Sequence, residues 1–181
     1  MRNIIFLVSL IAVFLLCEGC RLKQPDTLLI ENHTSEIQID GNIDGMEWIR
    51  STTLTDLYSP WAQSEQDSTI FRCFSSQKYF NFCFEVIDRT LTILKYTDEM
   101  TVAKGDRVEL FFSPSSELSS YYCMEINPNG YILDYKAQFY REFNYLWNFN
   151  HHAVVGKITS TGYIVEGRIS LSELKKLGLD L

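Results

Sequence analysis

Apolar and polar residues alternate most regularly in two segments, Asp106-Arg107-Val108-Glu109-Leu110-Phe111-Phe112 and Tyr121-Tyr122-Cys123-Met124-Glu125-Ile126-Asn127, which are followed by the turn Pro128-Asn129-Gly130. Successive strand side chains point to opposite faces, so Val108, Leu110 and Phe112 enter a core together with Tyr122, Met124 and Ile126. Arg107, Glu109, Cys123, Glu125 and Asn127 are left on the other face. The same reading predicts strands near 53–58, 68–75, 79–87, 107–113, 121–127, 131–139, 153–159 and 163–170, with hairpin turns at 75–78, 127–130 and 160–162. Before them, Ile37 and Ile39 alternate, Asp40-Gly41 turns, and Asp44 caps one helical turn that buries Trp48. Only the last segment reads as a helix, capped by Ser170 or Ser172, running through Glu173, Leu174 and Leu177, and ended by Gly178. Many short strands with one terminal helical turn predict an all-β fold, an antiparallel β-sandwich of immunoglobulin-like or jelly-roll-like form. The irregular stretch 88–105 has the length of a functional or mobile loop.

The N-terminus has a different pattern. Arg2 precedes an apolar run from Ile4 to Leu16, then small and polar residues, as in a secretory signal; the run is short for a transmembrane span. Its end, Leu16-Cys17-Glu18-Gly19-Cys20, resembles a bacterial lipoprotein signal in which Cys20 is lipidated after removal of 1–19. Ordinary secretion after a signal cut is the rival. Either way the mature chain is exported. With a lipid on Cys20 it would be a membrane-anchored protein of the periplasm or cell surface, held by residues 20–35 as a tether with the domain at 36–181.

The mature chain of about 160 residues suffices for one domain with a core. Sixteen Lys and Arg against 23 Asp and Glu give a formal charge of −7, and the basic residues are scattered, which argues against a nucleic-acid partner. Cys73, Cys83 and Cys123 form no Cys-x-x-Cys pair, so neither a zinc site nor a disulfide framework is supported; one disulfide and three buried thiols both remain open. His151-His152 face opposite ways on a strand with no third ligand placed near them, and read as surface histidines. No nucleophile arrangement is present, and nothing sets Glu109 and Glu125 across a cleft as a glycosidase pair. The chain reads as a non-enzyme. On rigid strands, carboxylates and an amide instead hold hydrogen-bonding groups in fixed positions for a polar ligand such as a sugar.

The order of motifs resembles the family 9 carbohydrate-binding modules. The matching pieces are Ile39-Asp40-Gly41-Asn42-Ile43-Asp44 with Trp48, Tyr79 to Asp88, Gly105 to Phe112, Tyr122 to Asn127 with Gly130, and Gly162 to Ile169 leading to Leu174. The resemblance implies a sandwich that binds a mono- or oligosaccharide between aromatic rings, in association with glycan use. Carried over by position, Glu109, Glu125 and Asn127 contact hydroxyls, Asp106 and Arg107 support them, and Trp61 or Trp147 stacks on the sugar, with Tyr58, Tyr140 and Tyr145 as further aromatics. The chain departs from the family pattern in three places. Thr101-Val102-Ala103-Lys104 stands where a family aromatic is expected, Glu125 stands where the family has arginine, and the strands that normally follow Gly178 are expected to be missing. Some members hold a structural calcium, for which Asp40, Asp44 and Asp106 offer oxygens; no other cofactor is implied. Two alternatives stay open: a haem-binding electron-transfer sandwich with Met124 or a histidine as axial ligand, and an envelope scaffold with no small-molecule ligand.

Overall fold

The computed structural model describes residues 28–57 and 68–179. The signal, Cys20, most of the tether, Tyr58 and Trp61 lie outside the described residues. The alternating segments resolve into two facing sheets. The first is built from β1 (Glu31–Asn32), β2 (Thr52–Leu57), β3 (Ser68–Ser75), β4 (Tyr79–Ile87), β9 (His152–Ile158) and β10 (Gly162–Ser170). Its order is β1-β3-β4-β10-β9, with β2 also paired to β3. The second comprises β5 (Val108–Phe112), β6 (Tyr121–Ile126), β7 (Ile132–Gln138) and β8 (Glu142–Asn144), paired in sequence order. Helix α1 (Met46–Ile49) precedes β2, a 3-10 helix (Glu99–Lys104) precedes β5, and α2 (Leu171–Lys176) follows β10. The predicted sandwich is therefore present, and the expected strands lie within a residue or two of their places.

Between the sheets, Phe80, Phe82 and Phe84 of β4 and Tyr163, Val165 and Ile169 of β10 meet Val108, Tyr122, Met124 and Ile126 of the second sheet. The parity predicted for β5 and β6 holds. Gly167 has a packing reason: Phe82 lies across it, and a Cβ there would sit 2.4 Å from the ring. A second close approach joins the sheets at one end, where the turn after β6 meets β9. A Cβ on Gly156 would lie 2.3 Å from the Gly130 nitrogen, and Gly130 itself has φ +81°.

The first sheet's outer face carries its own small core of Trp48, Phe74 and Cys83. There Glu166 of β10 is fully buried. Its Oε1 accepts the Trp48 indole N–H at 2.9 Å, and its Oε2 accepts the backbone N–H groups of Asp40 and Gly41 at 2.8 and 2.7 Å. Gly41, at φ +78°, makes the turn that brings both amides to one oxygen.

One expectation needs correction, and two readings left open are resolved. The tether does not extend to residue 35, since β1 pairs in parallel with β3 and Thr52 Oγ1 bonds both the Glu31 N–H and the Leu29 carbonyl, each at 2.9 Å. A two-residue edge strand is too short to leave an alternating signature. Stretch 88–105 is not loose: its 3-10 helix buries Thr101 and Val102, Tyr96 stacks on Tyr131 at 4.0 Å, and Asp106 N–H closes its base on the Thr92 carbonyl at 3.0 Å. No disulfide forms among the described residues, where Cys73, Cys83 and Cys123 are free and buried.

Two substitutions test this frame by urea unfolding. Glu166→Ala leaves three donors without their acceptor, two of them buried, and is expected to cost on the order of 3 kcal/mol. Gly156→Ala drives a methyl into backbone that cannot swing aside and is expected to cost about 3 kcal/mol.

Candidate functional site

β5 and β6 pair antiparallel with Glu109 directly opposite Glu125 and Phe111 opposite Cys123. Opposite residues share a face, so the two carboxylates stand side by side, turned away from the core. Left alone they would repel. Arg107, two residues before Glu109 on the same face, lies between them, its Nη2 2.8 Å from Glu109 Oε1 and its Nε in an ion pair with Glu125 Oε2. Its Nη1 donates to the carbonyls of Ala103 and Gly105 at 3.3 and 3.4 Å, so the end of the 3-10 helix fixes its orientation. Arg107 Nε and Glu125 Oε2 are close but not aligned for a hydrogen bond, and each lacks a hydrogen-bond partner. Two carboxylates and one guanidinium leave the cluster one negative charge.

Burial differs within this trio. The Glu125 side chain is 8% exposed, whereas those of Glu109 and Arg107 are 31% and 29% exposed. Burial, followed by the Glu109 charge, raises the Glu125 carboxyl above its ordinary range against the opposing pull of Arg107. Burial draws the Arg107 guanidinium down, but the two carboxylates outweigh it and the net direction is upward. Cys123 Sγ lies within 4.8 Å of carboxylate oxygens of both glutamates. Burial pushes this thiol up to about 12, so it stays neutral. With Arg107 already answering the carboxylates and the thiol protonated, the trio is better suited to hydrogen bonding than to holding a metal ion.

Aromatic rings border the cluster. Tyr135 of β7 lies beside Cys123 and Glu125, and Tyr145 and Phe143 each approach its ring to 5.3 Å. Tyr145 and Phe143 are both 41% exposed, and Phe111 is 58% exposed. Such rings offer flat apolar faces beside fixed donors and acceptors.

The predicted site residues are thus only partly brought together. Arg107, Glu109 and Glu125 meet. Asn127 belongs to the turn instead: its Oδ1 accepts the N–H groups of Asn129 and Tyr131 at 3.1 and 3.0 Å, and it is buried. Asp106 is spent on the Thr92 N–H at the base of the preceding stretch. Trp147 does not stack on this face; it packs on Tyr122 and Phe149, both at 4.8 Å, on the side toward the inter-sheet core. Trp61 lies outside the described residues. Tyr135, Phe143 and Phe111 complete this face; alternation along 131–139 groups Tyr135 with the apolar Leu133 and Ala137, a set that reads as inter-sheet core, so the local pattern does not point to it. Asp40, Asp44 and Asp106 do not converge: the one carboxylate, thiol or imidazole cluster among the described residues is Glu109, Cys123 and Glu125. Met124 is wholly enclosed between the sheets, packed in the inter-sheet core.

Residues 39–180 match the family described as "Carbohydrate family 9 binding domain-like". The chain belongs to this family, a class of domain for non-catalytic carbohydrate recognition. Its fold is similar to a family 9 carbohydrate-binding module from Caldicellulosiruptor kristjanssonii solved with cellotriose, at TM-score 0.56 and 20% identity over 78% of this chain and 66% of that one. A module from the same organism solved with glucose gives TM-score 0.53 at 19% identity over 78% of this chain and 70% of that one. A candidate carbohydrate-binding protein from Bacteroides uniformis ATCC 8492 gives 0.55 at 13% identity, covering 84% and 78%. A search of curated proteins finds no match.

The raised Glu125 carboxyl has a pH signature. A carboxyl that binds its proton more tightly when folded than when unfolded adds stability while protonated, and that contribution is lost as pH rises from 4.5 through its raised folded value. Glu125→Gln should therefore flatten the decline in Tm over that interval, leaving the part due to Asp134, which burial also raises. An unchanged pH profile would show that Glu125 does not titrate in this way.

Proposed function

We propose that the outer face of the second sheet is the carbohydrate site, with Glu109, Glu125 and Arg107 contacting hydroxyls and Tyr145 or Phe111 stacking on a pyranose. The observation that carries this reading is the direct pairing of Glu109 with Glu125 on neighbouring strands, bridged by Arg107 and flanked by half-exposed rings. Carboxylates accept from vicinal hydroxyls, and a guanidinium donates to ring and hydroxyl oxygens. The strands hold these groups without ordering cost at binding. Solved neighbours of the same fold hold cellotriose and glucose, which supports a neutral sugar here.

The same geometry favours binding over hydrolysis. Glycosidases set an acid and a base or nucleophile on opposite sides of the scissile bond. Here both carboxylates lie on one face, share one arginine, and have oxygens within 4.8 Å of each other. The proposal extends to place: an exported module, lipid-anchored through Cys20 at the periplasmic or outer surface and serving glycan use, as the N-terminal pattern supports.

Both halves are testable. Thermal unfolding of the purified protein with a panel of mono- and oligosaccharides should show a Tm raised by one sugar class, because a ligand of the native state stabilises by mass action. Glu109→Gln, at a half-exposed position, should abolish that shift and leave the unliganded Tm within a few degrees; a retained shift would move the site elsewhere. Cys20→Ser should release the protein from the membrane fraction and prevent acyl labelling, and persistent labelling would refute the anchor.

A further inference from the structure

Along β5, Glu109 is followed on the same face by Phe111, and along β6, Glu125 is preceded by Cys123 and then Tyr121. Strand geometry places Phe111 roughly 7 Å and Tyr121 roughly 14 Å from the respective carboxylate positions. At that end the face opens into a groove of about 420 Å³ walled by Phe111, Tyr121, Leu118, Phe139 and Tyr140. Phe139 and Tyr140 are each 70% exposed, and the Phe111 and Tyr121 rings approach to 6.2 Å. Apart from the hydroxyls of Tyr121 and Tyr140, its polar side chains are Ser113 and Arg141, and the Arg141 guanidinium already lies over the Tyr140 ring at 5.5 Å. A groove of this make-up offers stacking surfaces and very little hydrogen bonding.

We infer that this aromatic groove is an extension subsite that takes the further rings of an oligosaccharide whose first ring sits at Glu109, Arg107 and Glu125. The inference rests on the reading of that cluster as a sugar site and deepens it, making the ligand an extended chain and not a single sugar. Three observations select this occupant. The groove shares its floor strands with the polar cluster, without a break between Glu109 and Phe111. The distance from the carboxylates to Tyr121 corresponds to two or three pyranose residues. Its single charged side chain already has an aromatic partner, which does not suit a polyanion. The polar cluster would fix one ring by its hydroxyls, and the groove would add contact area in proportion to chain length.

The test is calorimetric titration of the purified protein with a length series, from one to four residues, of the sugar that raises its Tm. Affinity should climb by roughly tenfold between the monosaccharide and the trisaccharide, then level off. Phe139→Ala and Tyr140→Ala, both at exposed positions, should remove most of that gain while monosaccharide binding is unchanged. Glu109→Gln should weaken every member of the series. Monosaccharide binding with no gain on lengthening would overturn the extension subsite and leave the sugar reading standing. No binding by any member would overturn both. If Tyr140→Ala instead converts a dimer to a monomer in sedimentation and leaves the affinities alone, the groove belongs to a contact between copies and the inference fails.

Discussion

The buried Glu166 carboxylate is the interaction on which the first sheet's outer face depends. A charge at zero exposure is tolerated only when its oxygens are filled by donors, and here three converge from two separate segments, the Asp40-Gly41 turn and the Trp48 indole. The result explains the motif at the start of the domain in physical terms. Isoleucine, aspartate and glycine make a turn that can present two adjacent amides to one oxygen, and the tryptophan supplies the third donor while covering Phe74 and Cys83. Glu173 does comparable work at the other end, accepting the Asn150 and His151 amides, and Asp134 accepts that of Phe149. Three buried acids thus hold the irregular segments against the sheets.

With the first sheet secured in this way, the second is free to display polar groups. Its inner face is ordinary core. Its outer face is divided: the 3-10 helix and Val102 seal the half over Leu133 and Ala137, while Arg107, Glu109 and the rings of Phe111, Phe143 and Tyr145 remain in reach of solvent. On β6 this chain has Glu125, and the guanidinium that answers it comes from Arg107, immediately before β5.

Much of this was legible in the sequence because strand parity is a strong constraint. It placed Met124 inside and Glu109 and Glu125 together outside, and the structure agrees in register. What parity could not say is how an outward position is covered. Glu125 is outward and still buried, because Tyr135 and the 3-10 helix close over it, and neither neighbour is local in sequence. Asn127 shows a different failure: the Asn-Pro-Asn-Gly turn signal was recognised, but not that the asparagine's own oxygen would be consumed in closing it. Trp147 sits in an irregular segment whose direction is set by Asp134 and Glu173 pinning the residues beyond it, information that no local pattern contains.

The three thiols occupy three different layers: Cys83 beneath α1, Cys73 between the sheets, and Cys123 under the Arg107 cluster. Burial holds their pKa values at about 12, 11 and 12, so almost none is present as the reactive thiolate while its layer is closed. Each sulfur becomes nucleophilic only when its own covering lifts, and partial openings of a fold do not share one free energy. The chain therefore carries a chemical clock in every layer, and the order in which the three would be alkylated is the order in which the molecule comes apart.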